Sequence, residues 1–242
     1  MVALSWELSF IVNRFRLILT LFFAAGTQIL LCNRAWGDFI ISGGTVGVAE
    51  GAIFDSSGSI IINQGVISAS GTIRLSGNWN NGGVFVPNGS TVTFYDIMAS
   101  SLTGNTTFNV LDCTVNNKIL YFQHGSTQVV RSVLTLSGTV GNEIMLRPSL
   151  DGTTWYVQIL STSAVSYVDV QNSSAVVKVI DTANAVNSGG NSNWRFAVVN
   201  ANPIAPSSLA QYSAGFVNLP FGNWTNAYQQ IRATFTLSDP NG

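Results

Sequence analysis

Charged residues are scarce in this chain. Only 9% of its 242 residues are Asp, Glu, Lys or Arg, and the formal net charge is −1, whereas about 25% charged residues is usual for soluble domains. No basic cluster of the kind that binds DNA or RNA is visible, so no nucleic-acid partner is predicted. Gly, Ser, Thr and Asn take the place of the charged residues. Such a neutral, hydroxyl-rich and amide-rich surface suits an extracellular protein.

Cysteine and histidine are also scarce. The sequence has two cysteines and one histidine. Only Cys113 lies outside the N-terminal segment, so a disulfide framework is excluded, and its apolar surroundings at 106–115 predict a buried thiol. A zinc site needs several His or Cys ligands, and the sequence offers no such set. His124 precedes Gly125 and is predicted to lie exposed in a turn.

The N-terminal segment has the order of a secretory signal peptide. Two arginines precede the apolar run 17–25, and small residues come just before Asp38. A membrane anchor is the alternative, but the apolar run is interrupted at 26–28, whereas a span needs about 20 apolar residues. We predict a signal peptide over 1–37, export to the cell surface or the medium, and no membrane contact after cleavage.

The central part of the chain is a series of short β-prone runs separated by Gly, Asn and Ser turns. Most runs alternate apolar and polar residues with a period of two, which predicts strands with one buried face. The clearest examples lie at 59–63, 65–70, 71–79, 83–89, 90–96, 106–112, 118–123, 132–138, 142–149, 153–160 and 165–173. No amphipathic helix longer than two turns is predicted after the N-terminal segment.

A solenoid explains this pattern better than a sandwich or a barrel. The strands are very short and fall into groups of roughly 20–25 residues, within the range of repeat architectures. Two hairpin signals, Asn88-Gly89 and Asp151-Gly152, keep a sandwich open as the alternative. Solenoid ends need caps. We expect them at 38–58 and at the other end, where Trp194 and Phe196 would plug the last coil.

The composition changes after Asn200. Pro203 and Pro206 lie in a predicted linker over 199–208. The following segment, 209–242, contains alternating apolar residues but is too short for a β-sandwich, which needs about 100 residues. We therefore expect an incomplete sandwich-like module and a chain that is part of a longer protein, within which it is monomeric.

Several segments together resemble a known family. They are SGNWNNGGVFVPNGSTVTFYD (76–96), GNTTFNVLDCTV (104–115), SVLTLSG (132–138), LRPSLDGTTWYVQI (146–159), VSYVDVQNSSA (165–175) and NSGGNSNWRF (187–196). The string resembles the parallel β-helix regions of large secreted bacterial surface proteins, of the pectin-lyase-like or adhesin type. The resemblance implies an all-β, right-handed parallel β-helix with three sides, here over 38–198. Segment 231–242 is similar to the opening strands of immunoglobulin-like or fibronectin type III-like modules.

Residues that could carry chemistry are few. Hydrolases on β-helices use paired carboxylates, and lyases use calcium-binding aspartates with an arginine or lysine as base. Asp169 and Asp181 are twelve residues apart, and Arg131 and Arg147 lie on earlier coils, but no close carboxylate pair exists in the sequence. The oxygen ligands available to calcium are scattered singly. They are Asp96, Asp112, Asp151, Asp169 and Asp181.

Aromatic side chains offer a different hypothesis, stacking on sugars. The candidates are Trp79, Tyr95, Tyr121, Trp155, Tyr156 and Tyr167. Trp155 and Tyr156 are adjacent in a strand and must point to opposite sides. We name no catalytic, cofactor or metal residue. The predicted function is a non-catalytic structural or adhesive module with carbohydrate or other cell-surface ligands. The alternative is a polysaccharide lyase or hydrolase on the same fold.

Overall fold

The computed structural model describes residues 37–197 completely and, outside this range, only the backbone of short strands. The chain divides into two compact units, Met1–Val198 and Val199–Gly242, and each is described by itself. Every element in the described part of the chain is a strand. In chain order these are β1 Trp6–Val12, β2 Phe15–Ala24, β3 Thr27–Leu30, β4 Asn33–Ala35, β5 Phe39–Ile41, β6 Thr45–Val48, β7 Ile53–Ser56, β8 Ile60–Ile62, β9 Val66–Ala69, β10 Thr72–Leu75, β11 Trp79–Asn81, β12 Val84–Val86, β13 Thr91–Phe94, β14 Ser100–Thr103, β15 Thr106–Cys113, β16 Ile119–Phe122, β17 Thr127–Ser137, β18 Ile144–Pro148, β19 Trp155–Ile159, β20 Thr162–Ser166, β21 Val168–Val170, β22 Ser173–Val176, β23 Ile180–Ala183, β24 Val186–Asn187, β25 Trp194–Ala197, β26 Ala210–Tyr212, β27 Asn218–Leu219 and β28 Arg232–Thr234.

The first unit is a parallel β-solenoid whose coil has three sides. Side B stacks β4, β7, β10, β13, β15, β17, β20, β23 and β25, and side C stacks β5, β8, β11, β14, β16, β18, β21 and β24. Side A carries β3, β6, β9 and β12 and, further along, β19 and β22. The chain visits the sides in the order B, C, A in each coil. Almost all strand pairs are parallel; only β1–β2 and β2–β3 in this unit are antiparallel.

Two long strands merge sides A and B in the middle of the solenoid. The first part of β15 pairs with the first part of β17, and their second parts pair again after an irregularity between Phe108 and Val110. The first part of β17 then pairs with β19 and its second part with β20. Each long strand therefore serves as a side A strand and a side B strand without an intervening turn.

Three successive coils have the same length on side B. Ile73 pairs with Phe54 on one side and with Val92 on the other, and Val92 pairs with Leu111, so the repeat there is 19 residues. Coils in the middle of the solenoid are longer, with 29 residues between Gln128 and Val157, and the last coil is shorter, with 14 residues between Ile180 and Trp194. The spacing predicted from the sequence lies within this range of coil lengths.

The core consists of columns of inward side chains. Burial alternates along the strands, as in β10 and β13, because successive residues of a strand point to opposite faces. Each fully buried aliphatic side chain contributes roughly 1.5–3 kcal/mol to folding. The longest column on side B consists of Ser56, Leu75, Phe94, Cys113, Leu136, Val165 and Thr182.

Aromatic residues fill the wider parts of the interior. The Trp79 ring contacts those of Phe85 and Phe108 with centroids 4.9 and 5.4 Å away. Phe122 stacks on Trp155 with a centroid distance of 3.8 Å. In the last coil Trp194 and Phe196 pack against the core, at the position where the sequence predicted a plug.

The two hairpin signals do not form hairpins. Asn88-Gly89 lies between β12, which pairs with β9, and β13, which pairs with β10 and β15. Asp151-Gly152 likewise joins β18 on side C to β19 on side A. Both turns connect successive sides of the coil. The sandwich alternative for this region is therefore wrong. The two signals were misleading because a turn residue with a left-handed backbone fits a solenoid corner as well as a hairpin.

The second unit contains a small antiparallel sheet with the order β27-β26-β28. Most of residues 199–242, including the predicted linker, lie outside the described residues, so the sandwich-like module stays a prediction. The predicted signal peptide, 1–37, also stays a prediction, since apart from Gly37 only strand backbone is described there. In this region β3 pairs with β6, and β4 pairs with β7.

Candidate functional site

Two of the residues that the enzyme alternative would need meet on side C. Arg147 forms an ion pair with Asp169 through Nη2 and Oδ2, and its Nη1 donates to the Asp169 carbonyl oxygen at 2.7 Å. The Ser188 hydroxyl donates to Asp169 Oδ1 at 2.5 Å. Both carboxylate oxygens are thus occupied by neighbouring side chains, which is the arrangement of a structural ion pair on a sheet surface.

The other residues considered for the enzyme alternative lie elsewhere. Asp181 is on β23 of side B and pairs with Arg195 at 2.8 Å, where both side chains are largely exposed. Arg131 is exposed at the point where β17 passes from side A to side B. The structure therefore brings Arg147 and Asp169 together, and it places Asp181 on another side of the coil with its own partner.

The remaining calcium candidates are also dispersed. Asp96 Oδ1 accepts a hydrogen bond from the Met98 amide, and Asp151 is exposed in a turn. Asp112 is half-buried on side B, where burial raises its pKa and a hydrogen bond with Thr93 lowers it. Among the residues that the structure describes, no group of three or more His, Cys, Asp or Glu side chains could hold a metal ion.

The predicted aromatic strip is not assembled. Trp79 and Trp155 are buried in the core. Tyr156 points outward on side A, opposite to Trp155 as its position in the strand requires, and Tyr121 lies on side C. Tyr95 lies at the corner between sides B and C, where its hydroxyl donates to the Ser56 carbonyl oxygen at 3.2 Å. These aromatic residues therefore face different directions and form no continuous surface.

The turns from side B to side C, here called the serine corner, hold a buried polar ladder. The Ser76 hydroxyl donates to the Ser57 carbonyl oxygen at 2.5 Å, and Ser100 donates to the Ser76 carbonyl oxygen at 3.1 Å. Each hydroxyl thus satisfies a carbonyl group of the preceding coil. This ladder holds the corners of three successive coils together.

Lys118 continues the ladder and is completely buried. Its ammonium group donates to Ser100 Oγ at 2.7 Å and to the carbonyl oxygens of Met98 and Ser76. Burial lowers the pKa of Lys118, and the nearby Cys113 and Asp96 raise it. The turn before β14 is longer than the turn before β11. The long side chain of Lys118 therefore reaches carbonyl groups that a serine at the same position would not reach.

Cys113 lies beside this ladder in the core. The thiol is fully buried, as predicted from its sequence context. Burial raises its pKa to about 11. A thiol in this environment stays protonated at neutral pH and is a poor nucleophile, so Cys113 serves packing.

The turns from side C to side A, here called the amide corner, contain an open depression of about 310 Å³. Its lining comes from two successive coils and consists of Gly104, Asn105, Gln123, His124, Gly125 and Ser126. His124 is exposed in the turn, as predicted from the sequence. Its backbone N–H donates to Ser149 Oγ at 3.1 Å, and its ring Nδ1 lies 3.3 Å from the same oxygen.

Two amides of this depression are fixed by backbone groups. The Gly104 amide donates to Gln123 Oε1 at 2.6 Å, and the Thr127 amide donates to Asn105 Oδ1 at 2.8 Å. Each side-chain oxygen thus accepts one backbone N–H, and this contact orients the amide group. Sequence reasoning missed both residues, since Asn and Gln in turns are read as ordinary loop composition.

Buried amides brace the depression from the inside. Gln128 is 1% exposed, and its Nε2 donates to the Gly104 carbonyl oxygen at 2.9 Å and to Ser126 Oγ at 3.2 Å. Asn81 Nδ2 donates to the Asn105 carbonyl oxygen and to Thr106 Oγ1. The Oδ1 atom of Asn81 and the Oε1 atom of Gln128 are buried without a hydrogen-bond partner.

Compared with known proteins, the chain matches no family model, no curated protein and no solved structure. The likeness to pectin-lyase-like and adhesin-type proteins therefore stays a prediction, whereas the parallel solenoid itself follows from the strand pairing. In the part of the chain that the structure describes, there is no helix with the length and apolar character needed to cross a membrane.

Proposed function

We propose that this chain is a non-catalytic structural or adhesive module of a secreted or cell-surface multidomain protein, and that its ligands are carbohydrates. The observation that carries this proposal is the parallel stacking of the strands. Equivalent outward positions on neighbouring coils lie one strand spacing apart, about 4.8 Å. Residues at equivalent positions of successive coils are thereby brought side by side in rows along the solenoid.

Several outward positions carry neutral groups that are able to form hydrogen bonds. Thr72 lies beside Thr91 on side B, and Thr103 Oγ1 donates to Asn80 Oδ1 at 2.8 Å on side C. On side A the Ser192 hydroxyl donates to Ser174 Oγ at 2.8 Å. Such surfaces match the hydroxyl groups of a polysaccharide, and the rod-like stacking suits a spacer between domains.

The enzyme alternative has less support. It requires two or three acidic residues and an arginine to converge in one groove, and Asp181 lies on a different side from Asp169. The carboxylate of Asp169 is also engaged by Arg147 and Ser188. A carboxylate held in this way is less available as a general acid or nucleophile.

A retention assay with the full chain tests both functions together. Soluble and insoluble polysaccharides are incubated with the protein, and bound protein, new reducing ends and unsaturated sugar products are measured in the same samples. We expect retention by at least one polysaccharide without cleavage, unchanged in Asp169→Asn. Products that disappear in Asp169→Asn would establish the enzyme alternative, and a chain that binds none of the polysaccharides would refute the adhesive proposal.

A further inference from the structure

The geometry points to the depression at the amide corner as a binding site for a neutral carbonyl oxygen of a glycan, such as the acetamido group of an N-acetylhexosamine. This inference rests on the proposed carbohydrate-binding function and adds the location of one site and the chemical group that it selects. It is carried by the hydrogen-bonding state of Asn105 and Gln123, which differs from that of the other polar groups in the turn.

The two amides have N–H donors without a partner among the described residues. Their oxygens accept the Thr127 and Gly104 amides, and no described residue accepts a hydrogen bond from Asn105 Nδ2 or Gln123 Nε2. The backbone N–H groups of Gly125 and Ser126 are consumed by the carbonyl oxygens of Thr154 and Gln123. The side-chain NH2 groups are therefore the donors left for a ligand.

His124 lies in the same turn and can donate or accept through its ring. Its Nδ1 lies 3.3 Å from Ser149 Oγ. With the proton on Nε2 the ring offers a ligand a donor, and with the proton on Nδ1 it offers an acceptor. Asn105, Gln123 and His124 all line the same depression.

The two NH2 groups favour a ligand that accepts hydrogen bonds. A carbonyl oxygen has two lone pairs and no proton, so it can accept from NH2 groups without needing an acceptor in return. A hydroxyl oxygen can also accept, but its own proton needs an acceptor in addition. A carboxylate would lose its hydration without a cation to replace it, because none of the six lining residues is Lys or Arg.

The site is rigid before any ligand arrives. Gln128 is fully buried and ties Gly104 to Ser126 from below, and these two residues belong to successive coils. Asn105 and Gln123 are held by backbone N–H groups whose positions are set by the parallel stacking. Fixed donors lose little conformational entropy on binding, which favours even a small ligand.

A pair of matched disaccharides tests the selected group. Diacetylchitobiose and cellobiose share their linkage and differ in carrying an acetamido or a hydroxyl group at each C2. We expect the full chain to bind diacetylchitobiose at least tenfold more tightly than cellobiose or glucuronate in titration calorimetry. Equal affinity for diacetylchitobiose and cellobiose would overturn the inference.

Two isosteric substitutions test the site. Asn105→Asp and Gln123→Glu keep the oxygen that accepts the backbone N–H and remove only the NH2 donor. Each substitution should weaken the binding of diacetylchitobiose at least tenfold and leave the melting temperature of the protein unchanged. Gln158→Glu, on side A and outside the depression, introduces the same charge and should change the affinity less than twofold.

The outcomes separate this site from the general function. If the chain retains polysaccharides but Asn105→Asp and Gln123→Glu bind diacetylchitobiose as the unchanged chain does, the site is refuted and the adhesive function stands. If neither polysaccharides nor disaccharides bind, both are refuted. Because the two substitutions are independent, misfolding of one leaves the other as the test.

Discussion

The two corners that flank side C satisfy their polar groups in opposite ways. At the serine corner, hydroxyl groups and the Lys118 ammonium are buried and donate to carbonyl oxygens of earlier coils. At the amide corner, Asn and Gln side chains are held by backbone groups, and the turn opens into a depression. The polar groups of the first corner are enclosed, and the second corner is open to solvent.

The difference follows from the number of hydrogen-bonding sites on each side chain. A serine hydroxyl has one proton to donate, and one carbonyl oxygen of the preceding coil takes it, so it can be enclosed at little cost. A side-chain amide has two donors and an oxygen with two lone pairs, and a narrow turn cannot supply partners for all of them. The groups left without a partner among the described residues are the NH2 groups of Asn105 and Gln123 and the side-chain oxygens of Asn81 and Gln128. Stability is therefore concentrated at the serine corner and binding capacity at the amide corner.

Removing the buried ammonium should give the largest effect. In Lys118→Ala the Met98 carbonyl oxygen loses its donor, the Ser76 carbonyl oxygen keeps only the Ser100 hydroxyl, and a cavity forms. We expect the free energy of unfolding to fall by about 3 kcal/mol or more, measured by urea denaturation. Lys178→Ala is the control, because Lys178 donates to the Ser161 carbonyl oxygen at an exposed position. Equal losses in the two variants would contradict the assignment of stability to the serine corner.

The thiol beside the serine corner should make stability depend on alkaline pH. Burial raises the pKa of Cys113 from 9.0 to about 11. Between these values the folded chain keeps the proton and the unfolded chain has lost it, so the free energy of unfolding falls as the pH rises. A two-unit difference corresponds to about 2–3 kcal/mol. The lowered pKa of Lys118 has the opposite effect: below pH 10.5 it makes the free energy of unfolding rise with pH. Lys118 is present both in the unchanged chain and in Cys113→Ala, which are compared below.

The comparison with Cys113→Ala isolates the thiol. The unfolding free energies of the unchanged chain and of Cys113→Ala are measured at pH 8 and pH 11, and the difference between the two proteins is followed. We expect the advantage of the unchanged chain to shrink by about 2 kcal/mol over this range. A pH-independent difference would show that the thiol ionises equally in the folded and unfolded states.

A substitution at the amide corner should have the smallest effect. Gln128→Leu removes two hydrogen bonds, to the Gly104 carbonyl oxygen and to Ser126 Oγ, but it also removes the unpartnered Oε1. Because Gly104 and Ser126 line the open depression, water can replace the lost donors. We expect a loss of no more than about 1 kcal/mol in the same denaturation experiment. A loss as large as that of Lys118→Ala would abolish the distinction between the two corners.

Much of the fold could be predicted from alternation alone. The run at 118–123 was predicted as a strand, and its period of two places Lys118 on the same face as Leu120 and Phe122, which are buried. Alternation therefore held the signal for a buried lysine, although lysine is usually read as exposed. The burial of Cys113 and the exposure of His124 were predicted correctly from their immediate neighbours.

The candidate site could not be predicted in the same way. Asn105 and Gln123 are separated in the sequence and become neighbours only because a coil of the solenoid returns the chain to the same corner. The spacing of Asp169 and Asp181 did not indicate their partners. Asp169 forms an ion pair with Arg147, and Asp181 forms one with Arg195. Coil length varies along the chain, and a shift of a few residues decides which side chains are stacked.

The sequence by itself determined that the chain is all-β, that its strands have one buried face, and that few charged groups are available for chemistry. These properties are local: they depend on residue type and on a period of two. Only the tertiary structure decided which corner encloses its polar groups and which is open, because that depends on the register of parallel strands about twenty residues apart. Register is set by the lengths of the turns and the packing of the core together, and no single segment contains that information.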